Sequence, residues 1–294
     1  MFASIIIPTI NGEEYLKKSL DSLYLQQAIS NFEVIVIDNG SISNSQNFIK
    51  QRYSNFSLIV NQKNMGSSFA RNQGLALAKG DYILFMDCDV ELEEGFLSSL
   101  ISILRDTPED IAGISPKIID KESGKIFSCG LFISSIYRVY DIGKGKSPEE
   151  YSQVLPIDGP NSCCAVFRRS YLEKIKRTDY FDNDFFFLFE DADLALRLKK
   201  RDYKCLYTPE LTCYHQKGSS GISLEKRRYL CFRNRLYMIF NNNNFIETLN
   251  IFAKSFIYDL FRTLHLLLTN KYGFRIFSDL IKKHKNEKHS NSQR

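Results

Sequence analysis

Two aspartates separated by one residue, Asp87 and Asp89, directly follow an apolar run at residues 82–86. Carboxylate oxygens are the ligands that hard cations such as Mg²⁺ and Mn²⁺ prefer, with water and substrate phosphates completing the coordination. The pair therefore predicts a cation site for a phosphorylated substrate, with Cys88 between the two ligands. The structural alternative is a turn aspartate and the cap of a helix at residues 93–104.

A second acidic cluster, which contains Glu190 and Asp191, precedes a helical pattern at residues 192–201. A carboxylate in this position can act as a general base that takes the proton of an acceptor hydroxyl. Acidic residues also favour helix N-termini because they cap backbone N–H groups and oppose the helix dipole. The spacing alone leaves both interpretations open.

His215 ends a short strand-like pattern and is followed by a loop rich in glycine and serine, which includes Ser219. Such a histidine can contact a metal ion or a diphosphate, although a lone histidine is more often structural. Residues 143–147 resemble a phosphate-binding P-loop, but Tyr140 stands where that motif needs a glycine. No GxGxxG follows a strand, so dinucleotide binding is not indicated.

The elements that position these residues alternate between strands and helices. Residues 3–7, 32–37 and 82–86 are nearly continuous apolar runs, which is typical of strands covered on both faces of a parallel sheet. Helical patterns at residues 13–26 and 67–78 lie between them. This order predicts an α/β fold with right-handed crossovers.

Ligands of open α/β sheets bind beyond the carboxyl ends of the parallel strands. Three predicted strands bring residues suited to ligand binding to that edge, where we expect them to line one crevice. They are Pro8, Thr9 and Asn11 after the first strand, Asp38 and Asn39 after the second, and Asp87 and Asp89 after the third.

The composition is that of a globular protein, with 44% hydrophobic and 25% charged residues among 294. The net charge is +5, and residues 275–294 account for most of it, with six Lys/Arg against two Asp/Glu. The remainder is close to neutral, so no nucleic-acid partner is expected.

Seven cysteines, an odd number with no CxxC pair, favour neither a disulfide framework nor a zinc knuckle. They predict a reducing, cytoplasmic environment. The N-terminal residues are interpreted as a first strand rather than a signal peptide, and no apolar run is long enough to span a membrane.

Five blocks of the chain, in order, closely resemble the family 2 glycosyltransferases of the GT-A fold, especially the rhamnosyltransferase-like members. The blocks are SIIIPTINGEEYLKKSLDSL, FEVIVIDNGS, NMGSSFARNQGLALAKGDYILFMDCDV, DGPNSCCAVFRRSYL and FEDADLALRLKKRDYKCLYTPELTCYHQKGSSG. Together they span about residues 4–221, and a later YLCFRNRLYMIF is similar to the family's Arg-Asn segment.

The resemblance implies a Rossmann-like mixed, mainly parallel sheet flanked by helices, with a helical C-terminal appendage. It predicts a catalytic domain at residues 1–222, with a nucleotide-binding half at 1–110 and an acceptor half at 111–222. Residues 223–294 would form the helical region with its basic tail, and the asparagine run at 241–244 is interpreted as a helix break.

The resemblance also implies roles for individual residues. Asp191 matches the catalytic base, while Asp87, Asp89 and His215 match the metal site. Acceptor-side positions are Glu190, Asn161 and Ser219. Donor-binding positions are Pro8, Thr9, Asn11, Asp38, Asn39, Arg71, Asp87, Cys88 and Gly159.

The sequence departs from the family in two respects. Ile42-Ser43 stands where the family often has Thr-Asp, and tryptophan is absent, so any platform that stacks on a sugar must be Tyr or Phe.

The implied activity is inverting, metal-dependent transfer of a hexose or deoxyhexose from a nucleotide-diphosphate sugar to a hydroxyl of a glycan or lipid-linked acceptor. Mn²⁺ or Mg²⁺ is the implied cofactor, and cell-envelope polysaccharide assembly is the implied setting. Two rivals are a non-catalytic sugar-nucleotide-binding or scaffold protein and a sugar-nucleotide pyrophosphorylase. The second needs a Gly-rich, basic N-terminal loop, which residues 8–11 lack.

Residues 250–268 form an amphipathic pattern rich in aromatic and aliphatic side chains, flanked by Lys254, Arg262 and Lys271. Two interpretations stay open. Residues 250–294 contact the inner face of an anionic membrane as a peripheral segment, or they pack on the catalytic domain or on a sister subunit of a homodimer.

Overall fold

The computed structural model describes residues 3–42, 45–216 and 221–292, with side chains only as far as residue 283 at the C-terminal end. The chain divides into two compact units. The first unit comprises Met1–Phe132, Val139–Phe186 and Glu190–Ser220. The second unit comprises Ile133–Arg138, Phe187–Phe189 and Gly221–Arg294.

The strands and helices follow one another along the chain as the alternating pattern predicts. The strands are β1 Ala3–Thr9, β2 Phe32–Asp38, β3 Ser57–Val60, β4 Tyr82–Met86, β5 Val90–Leu92, β6 Ile111–Asp120, β7 Ile126–Ser128, β8 Leu131–Ile133, β9 Val139–Asp141, β10 Leu155–Ile157, β11 Cys164–Arg168 and β12 Lys204–His215. The helices are α1 Glu13–Tyr24, α2 Ser45–Arg52, α3 Ser67–Leu77, α4 Phe96–Asp106, α5 Arg169–Ile175, α6 Glu190–Lys199, α7 Leu224–Asn242, α8 Phe245–Thr269 and α9 Arg275–Ser292.

The first unit is built on a mixed sheet with the strand order β10-β12-β6-β11-β4-β1-β2-β3. β1 pairs in parallel with both β2 and β4, and β2 pairs in parallel with β3. β11 is inserted antiparallel between β4 and β6. The predicted α/β fold with a mixed, mainly parallel sheet is confirmed.

The apolar runs of the central strands are continuous because helices cover both faces of the sheet. Ile5 and Ile7 of β1 point into one core with Leu16 and Leu20 of α1, whereas Ile6 points into the opposite core with helices α3 and α6. All three isoleucines are completely buried. Side chains of a strand alternate between faces, so one apolar run contributes to two cores.

Two parts of the middle region differ from the predicted pattern. The strand that ends at His215 is not short, because β12 has 12 residues and pairs with β6, β5 and β10. A register shift between Tyr207 and Thr212 interrupts the pairing with β6. Pro209 and Glu210 lie in this shift and break the apolar pattern. The sequence therefore does not indicate that the strand begins before them.

Residues 133–139 contain Ile133, Ile136 and Val139, which are residue types that favour strands, yet the segment forms a reversal between β8 and β9. Ser134 N–H donates to the carbonyl of Arg138 at 2.9 Å, and Tyr137 has a positive φ of 61°. A positive φ is rare for a bulky residue, so neither hydrophobicity nor β-propensity indicates a turn here.

The second unit is helical. Tyr229, Leu230 and Phe232 of α7 pack with Leu266 of α8 and Ile276 of α9 in a small core. The predicted break in the asparagine run is confirmed, because α7 ends at Asn242 and Asn244 caps α8. In that cap, Glu247 N–H donates to Asn244 Oδ1 at 2.9 Å, and Asn244 N–H donates to Glu247 Oε2 at 3.0 Å.

Among the described residues, no helix is both long enough and apolar enough to cross a membrane.

Candidate functional site

The aspartate pair that follows β4 lies in a tight connection to β5. Asp87 N–H donates to the carbonyl of Cys163 at 2.8 Å, and Val90 N–H donates to the carbonyl of Asp87 at 3.1 Å. The carbonyl of Asp89 accepts from Gln216 N–H at 2.9 Å, next to the end of β12. Residues in β5 and directly next to β11 and β12 therefore fix the backbone that carries the two carboxylates.

Arg71 of α3 joins carboxylates that are far apart in the sequence. Its Nη2 donates to Asp87 Oδ1 at 2.7 Å and its Nη1 donates to Glu190 Oε1 at 2.6 Å. Ser67, one turn earlier on α3, also donates to Glu190 Oε1 at 2.6 Å. The side chains of Arg71 and Glu190 are only 3% and 5% exposed. Desolvated pairs of this kind are strong and directional.

Asp191 follows Glu190 in the first turn of α6. Its Oδ1 accepts from Ala192 N–H at 2.8 Å, and its Oδ2 is 3.4 Å from the donating N–H of Ser162. We call Arg71, Asp87, Glu190 and Asp191 the Arg71 cluster. The structure therefore brings the acidic residues at both predicted sites, 87 and 190–191, to one place in the first unit.

The electrostatics of the Arg71 cluster favour proton exchange near neutral pH. Burial raises the pKa of Asp191 to about 7; the neighbouring Glu190 carboxylate adds to the rise, whereas Arg71 opposes it. Burial also raises the pKa of Asp87, again against the effect of Arg71. Carboxyl groups with such pKa values are frequent at functional sites.

Two polar atoms of the Arg71 cluster are buried without a hydrogen-bond partner among the described residues, Arg71 Nε and Glu190 Oε2. Buried polar atoms are nearly always paired in native proteins. The arrangement is therefore one that an additional polar ligand or water would complete.

Asp89 and His215 lie together at the end of the β5–β12 pairing. Asp89 is 7% exposed, its Oδ2 is 3.5 Å from His215 Nε2, and the imidazole lies 4.2 Å from the ring of Phe127. No group of three or more His, Cys, Asp or Glu side chains within the described residues is arranged to hold a metal ion. The donors present suit a cation that takes its other ligands from substrate phosphates and water.

The loop after β1 contacts the loop after β2. Pro8 and Thr9 are still part of β1, opposite Ile37 and Asp38. Asn11 is exposed with a φ of 52°, and its N–H donates to Ser41 Oγ at 3.0 Å. Its Oδ1 accepts from Ile42 N–H at 2.9 Å. These bonds join the two loops at the carboxyl edge of the sheet.

Asp38 and Asn39 are buried, and protein groups occupy their polar atoms. Asp38 accepts from Ser41 N–H at 2.8 Å and from Ser45 Oγ at 3.0 Å. Asn39 donates to the carbonyl of Gly66 at 3.1 Å and accepts from Met65 N–H at 3.1 Å. Both side chains organise the loops of this edge in the structure.

The remaining predicted positions lie around the same edge. Burial raises the pKa of the Cys88 thiol to about 12, so this cysteine is a neutral thiol and not a nucleophile. A Cβ on Gly159 would lie 2.4 Å from the Cβ of Ala195, so glycine allows this segment to approach α6 closely. Asn161 donates to Asp141 Oδ1 at 2.8 Å. Ser219 lies outside the described residues.

Two residues near the cluster were missed by sequence reasoning. Ser67 precedes Arg71 by four residues on α3, a spacing that places both on one helix face and gives a usable signal. Asp141 ends β9, contacts Asn161, and contributes to the raised pKa of Asp191. It lies in a region without clear periodicity, so no local signal points to it.

Comparison with known proteins gives a family match. A model of the family described as Glycosyl transferase family 2 matches residues 4–176. The chain is 31% identical over 140 residues to glycosyltransferase GlyA of Streptococcus pneumoniae, a match that covers 47% of this chain and only 20% of GlyA. It is 27% identical over 223 residues to the amylovoran biosynthesis glycosyltransferase AmsB of Erwinia amylovora, covering 72% of this chain and 69% of AmsB.

A similar solved structure is the mannosyltransferase PcManGT of Pyrobaculum calidifontis in complex with GDP-Man and Mn²⁺. It aligns with a TM-score of 0.57 at 15% identity, covering 96% of this chain and 75% of that one. At this identity the likeness shows the fold, which confirms the predicted GT-A architecture.

Proposed function

The chain belongs to glycosyl transferase family 2, and we propose that it transfers a hexose or deoxyhexose from a nucleotide-diphosphate sugar to an acceptor hydroxyl with inversion at the anomeric carbon. The observation that carries this proposal is the Arg71 cluster, in which one buried arginine lies within 2.7 Å of Asp87 and Glu190, next to Asp191. Such a cluster combines a positive charge, on Arg71, that can stabilise a leaving diphosphate with a candidate base, Asp191.

Asp191 is the proposed general base. Its raised pKa, about 7, lets it be ionised at neutral pH and still accept a proton readily. The acceptor oxygen attacks the anomeric carbon as Asp191 takes its proton, and the bond from that carbon to the diphosphate oxygen breaks. One displacement from the opposite face inverts the configuration, and no second carboxylate is needed as a nucleophile.

Asp87, Asp89 and His215 are the proposed residues for a divalent cation, Mn²⁺ or Mg²⁺. Support comes from the chemistry of these donors and from the Mn²⁺ that accompanies GDP-Man in PcManGT. A cation bound there would neutralise charge on the leaving diphosphate. Arg71 holds Asp87 in place and adds positive charge next to that site.

The sugar and the acceptor are proposed from similarity to relatives and not from the geometry of the site. The role of AmsB in amylovoran biosynthesis supports a polysaccharide or glycolipid acceptor, and the resemblance to rhamnosyltransferase-like members supports a deoxyhexose. The GlyA match covers only 20% of that protein. The substrates of such longer relatives are therefore no guide to the substrate of this chain.

The base assignment is tested with Asp191→Asn. Purified protein with Mn²⁺ is assayed for release of nucleoside diphosphate from a panel of UDP-, GDP- and dTDP-sugars, with and without acceptor glycans. We expect turnover to fall by about 10²–10⁴-fold, while calorimetry shows unchanged donor binding because Asp191 is not assigned to the donor.

Asp110→Asn is the matched control, since Asp110 is an exposed acid that pairs with Lys204 on the surface. It should retain full turnover. Normal turnover by Asp191→Asn would remove Asp191 as the base, and donor binding without any turnover by the wild type would favour the non-catalytic alternative.

The metal assignment is tested by chelation. Excess EDTA should stop the transfer, and added Mn²⁺ or Mg²⁺ should restore it, because the diphosphate leaves poorly without charge neutralisation. Ca²⁺ and Zn²⁺ added to the chelated protein test cation preference. Full activity in excess chelator would exclude the cation from the reaction.

A further inference from the structure

Helix α8 exposes an unusual amount of apolar surface. Among its residues, Phe245, Ile257 and Leu268 are 77%, 69% and 83% exposed. Single exposed hydrophobic residues are normal on protein surfaces, whereas a contiguous apolar patch marks an interaction site. The α8 face, as we call it, consists of Phe245, Ile246, Leu249, Phe256, Ile257, Leu260, Phe261, Leu264 and Leu268.

These nine side chains share one side of the helix. At 100° per residue they occupy an arc of about 160°, opposite the side that carries the buried Thr248, Ile251, Ser255 and Leu266. The arc contains no Asp, Glu, Lys or Arg. This is wider than the narrow seam that a coiled coil buries.

Basic residues follow the α8 face directly. Lys271, Arg275 and Lys282 are exposed, and Phe274, Phe277 and Ile281 add further exposed apolar side chains. From residue 271 to residue 294 the sequence has seven Lys/Arg and two Asp/Glu. A protein partner for this surface would need both an apolar groove and an acidic rim.

We propose that the α8 face binds the surface of an anionic phospholipid bilayer, with α8 lying in the interfacial region parallel to the membrane. The apolar arc supplies burial among acyl chains, and the basic residues after it supply attraction to anionic headgroups. A second copy of this chain fits less well, because its matching surface would present the same excess of basic over acidic residues.

The test is co-sedimentation of the full chain with vesicles. The wild type should pellet with vesicles of phosphatidylglycerol and phosphatidylcholine at low salt, and binding should weaken in high salt, which screens the headgroup attraction. Pure phosphatidylcholine vesicles should bind it much less. Absence of binding to the anionic vesicles at low salt would overturn the proposal.

Two sets of variants separate the apolar and basic contributions. Phe256→Gln with Phe261→Gln keeps good helix formers and should reduce vesicle binding by about tenfold or more. Arg275→Gln with Lys282→Gln should reduce it by about fivefold per residue. Leu25→Gln and Lys50→Gln, exposed positions of the first unit, are the controls and should bind as the wild type does.

Light scattering tests whether a second copy of the chain covers the α8 face. We expect a monomer by light scattering, unchanged by the paired Phe256 and Phe261 substitutions. A dimer that those substitutions dissociate, together with equal vesicle binding by wild type and variant, would assign the α8 face to self-association and overturn the proposal.

Discussion

The two units differ in the surface that is unusual for a folded chain. The first unit buries charges, with Arg71 and Glu190 at 3% and 5% exposure. The second unit exposes apolar groups, with Phe256 and Ile257 at 64% and 69%. Each arrangement costs free energy in the isolated chain. The first arrangement is consistent with the proposed polar ligand, and the second with the proposed apolar surface.

A buried ion pair alone does not identify a site, because the second unit has one as well. Arg235 is 2% exposed and contacts Asp259 at 2.6 Å. All three of its side-chain nitrogens are used, because Nε and Nη2 donate to the carbonyl of Ile136. The Arg71 cluster instead retains two buried atoms without a described partner. The difference separates a structural pair from a candidate ligand site.

Arg71→Gln gives the largest expected effect. Loss of the guanidinium leaves Glu190 buried without its counter-charge, which should reduce the free energy of unfolding by about 3–5 kcal/mol. Transfer should also fall by about 10²–10³-fold, as when a donor to a developing negative charge is lost. Urea denaturation and kcat/KM with the donor measure the two effects.

Arg71→Lys sharpens the assignment because it keeps the charge but lacks the planar group that contacts Asp87 and Glu190 together. Its free energy of unfolding should be higher than that of Arg71→Gln, but its kcat/KM should stay well below that of the wild type. Wild-type kcat/KM for either variant would mean that this arginine is structural.

Arg235→Gln should affect stability alone. Removing this partner of Asp259 should cost about 3–5 kcal/mol of the free energy of unfolding, with kcat unchanged at temperatures where the variant is folded. Urea denaturation and initial rates on the same preparation provide the comparison. A fall in kcat as large as that of Arg71→Gln would remove the distinction between the two arginines.

The pH dependence is the smallest effect. Asp191 must be ionised to accept a proton, and its pKa is raised to about 7, so activity is present above pH 7 and lost as pH falls. We expect kcat/KM to fall about tenfold per pH unit below 7. Residual activity of Asp191→Asn should fall less steeply with pH, because only Asp87, whose pKa burial also raises, still titrates in this range. If kcat/KM of the wild type fell only near pH 4, the Asp191 carboxyl would be solvated in the working enzyme.

Much of the first unit is predictable from local patterns. β1, β2 and β4 are continuous apolar runs because both faces of these strands are covered. The aspartates at 87 and 191 could be singled out because acids follow a buried strand or begin a helix. The first half of β12 could not be predicted, because its pairing tolerates Pro209 and Glu210 in a register shift that only the neighbouring strand defines.

Residue type does not show which contacts polar side chains make in the folded chain. Asp38 and Asn39 suit ligand binding by type and position, and the structure adds that both also bond to protein groups of the neighbouring loops. The apolar pattern after residue 250 could equally describe a buried helix, and only exposure in the folded chain distinguishes the α8 face.

The sequence by itself determined the α/β order of elements, the family and the acidic residues available for chemistry, because these depend on local periodicity and short motifs. Tertiary structure alone decided which acids meet. Arg71 contacts Asp87 and Glu190 across separations of 16 and 119 residues. No local pattern encodes such pairs, since their distances are set by how the whole sheet and its helices pack.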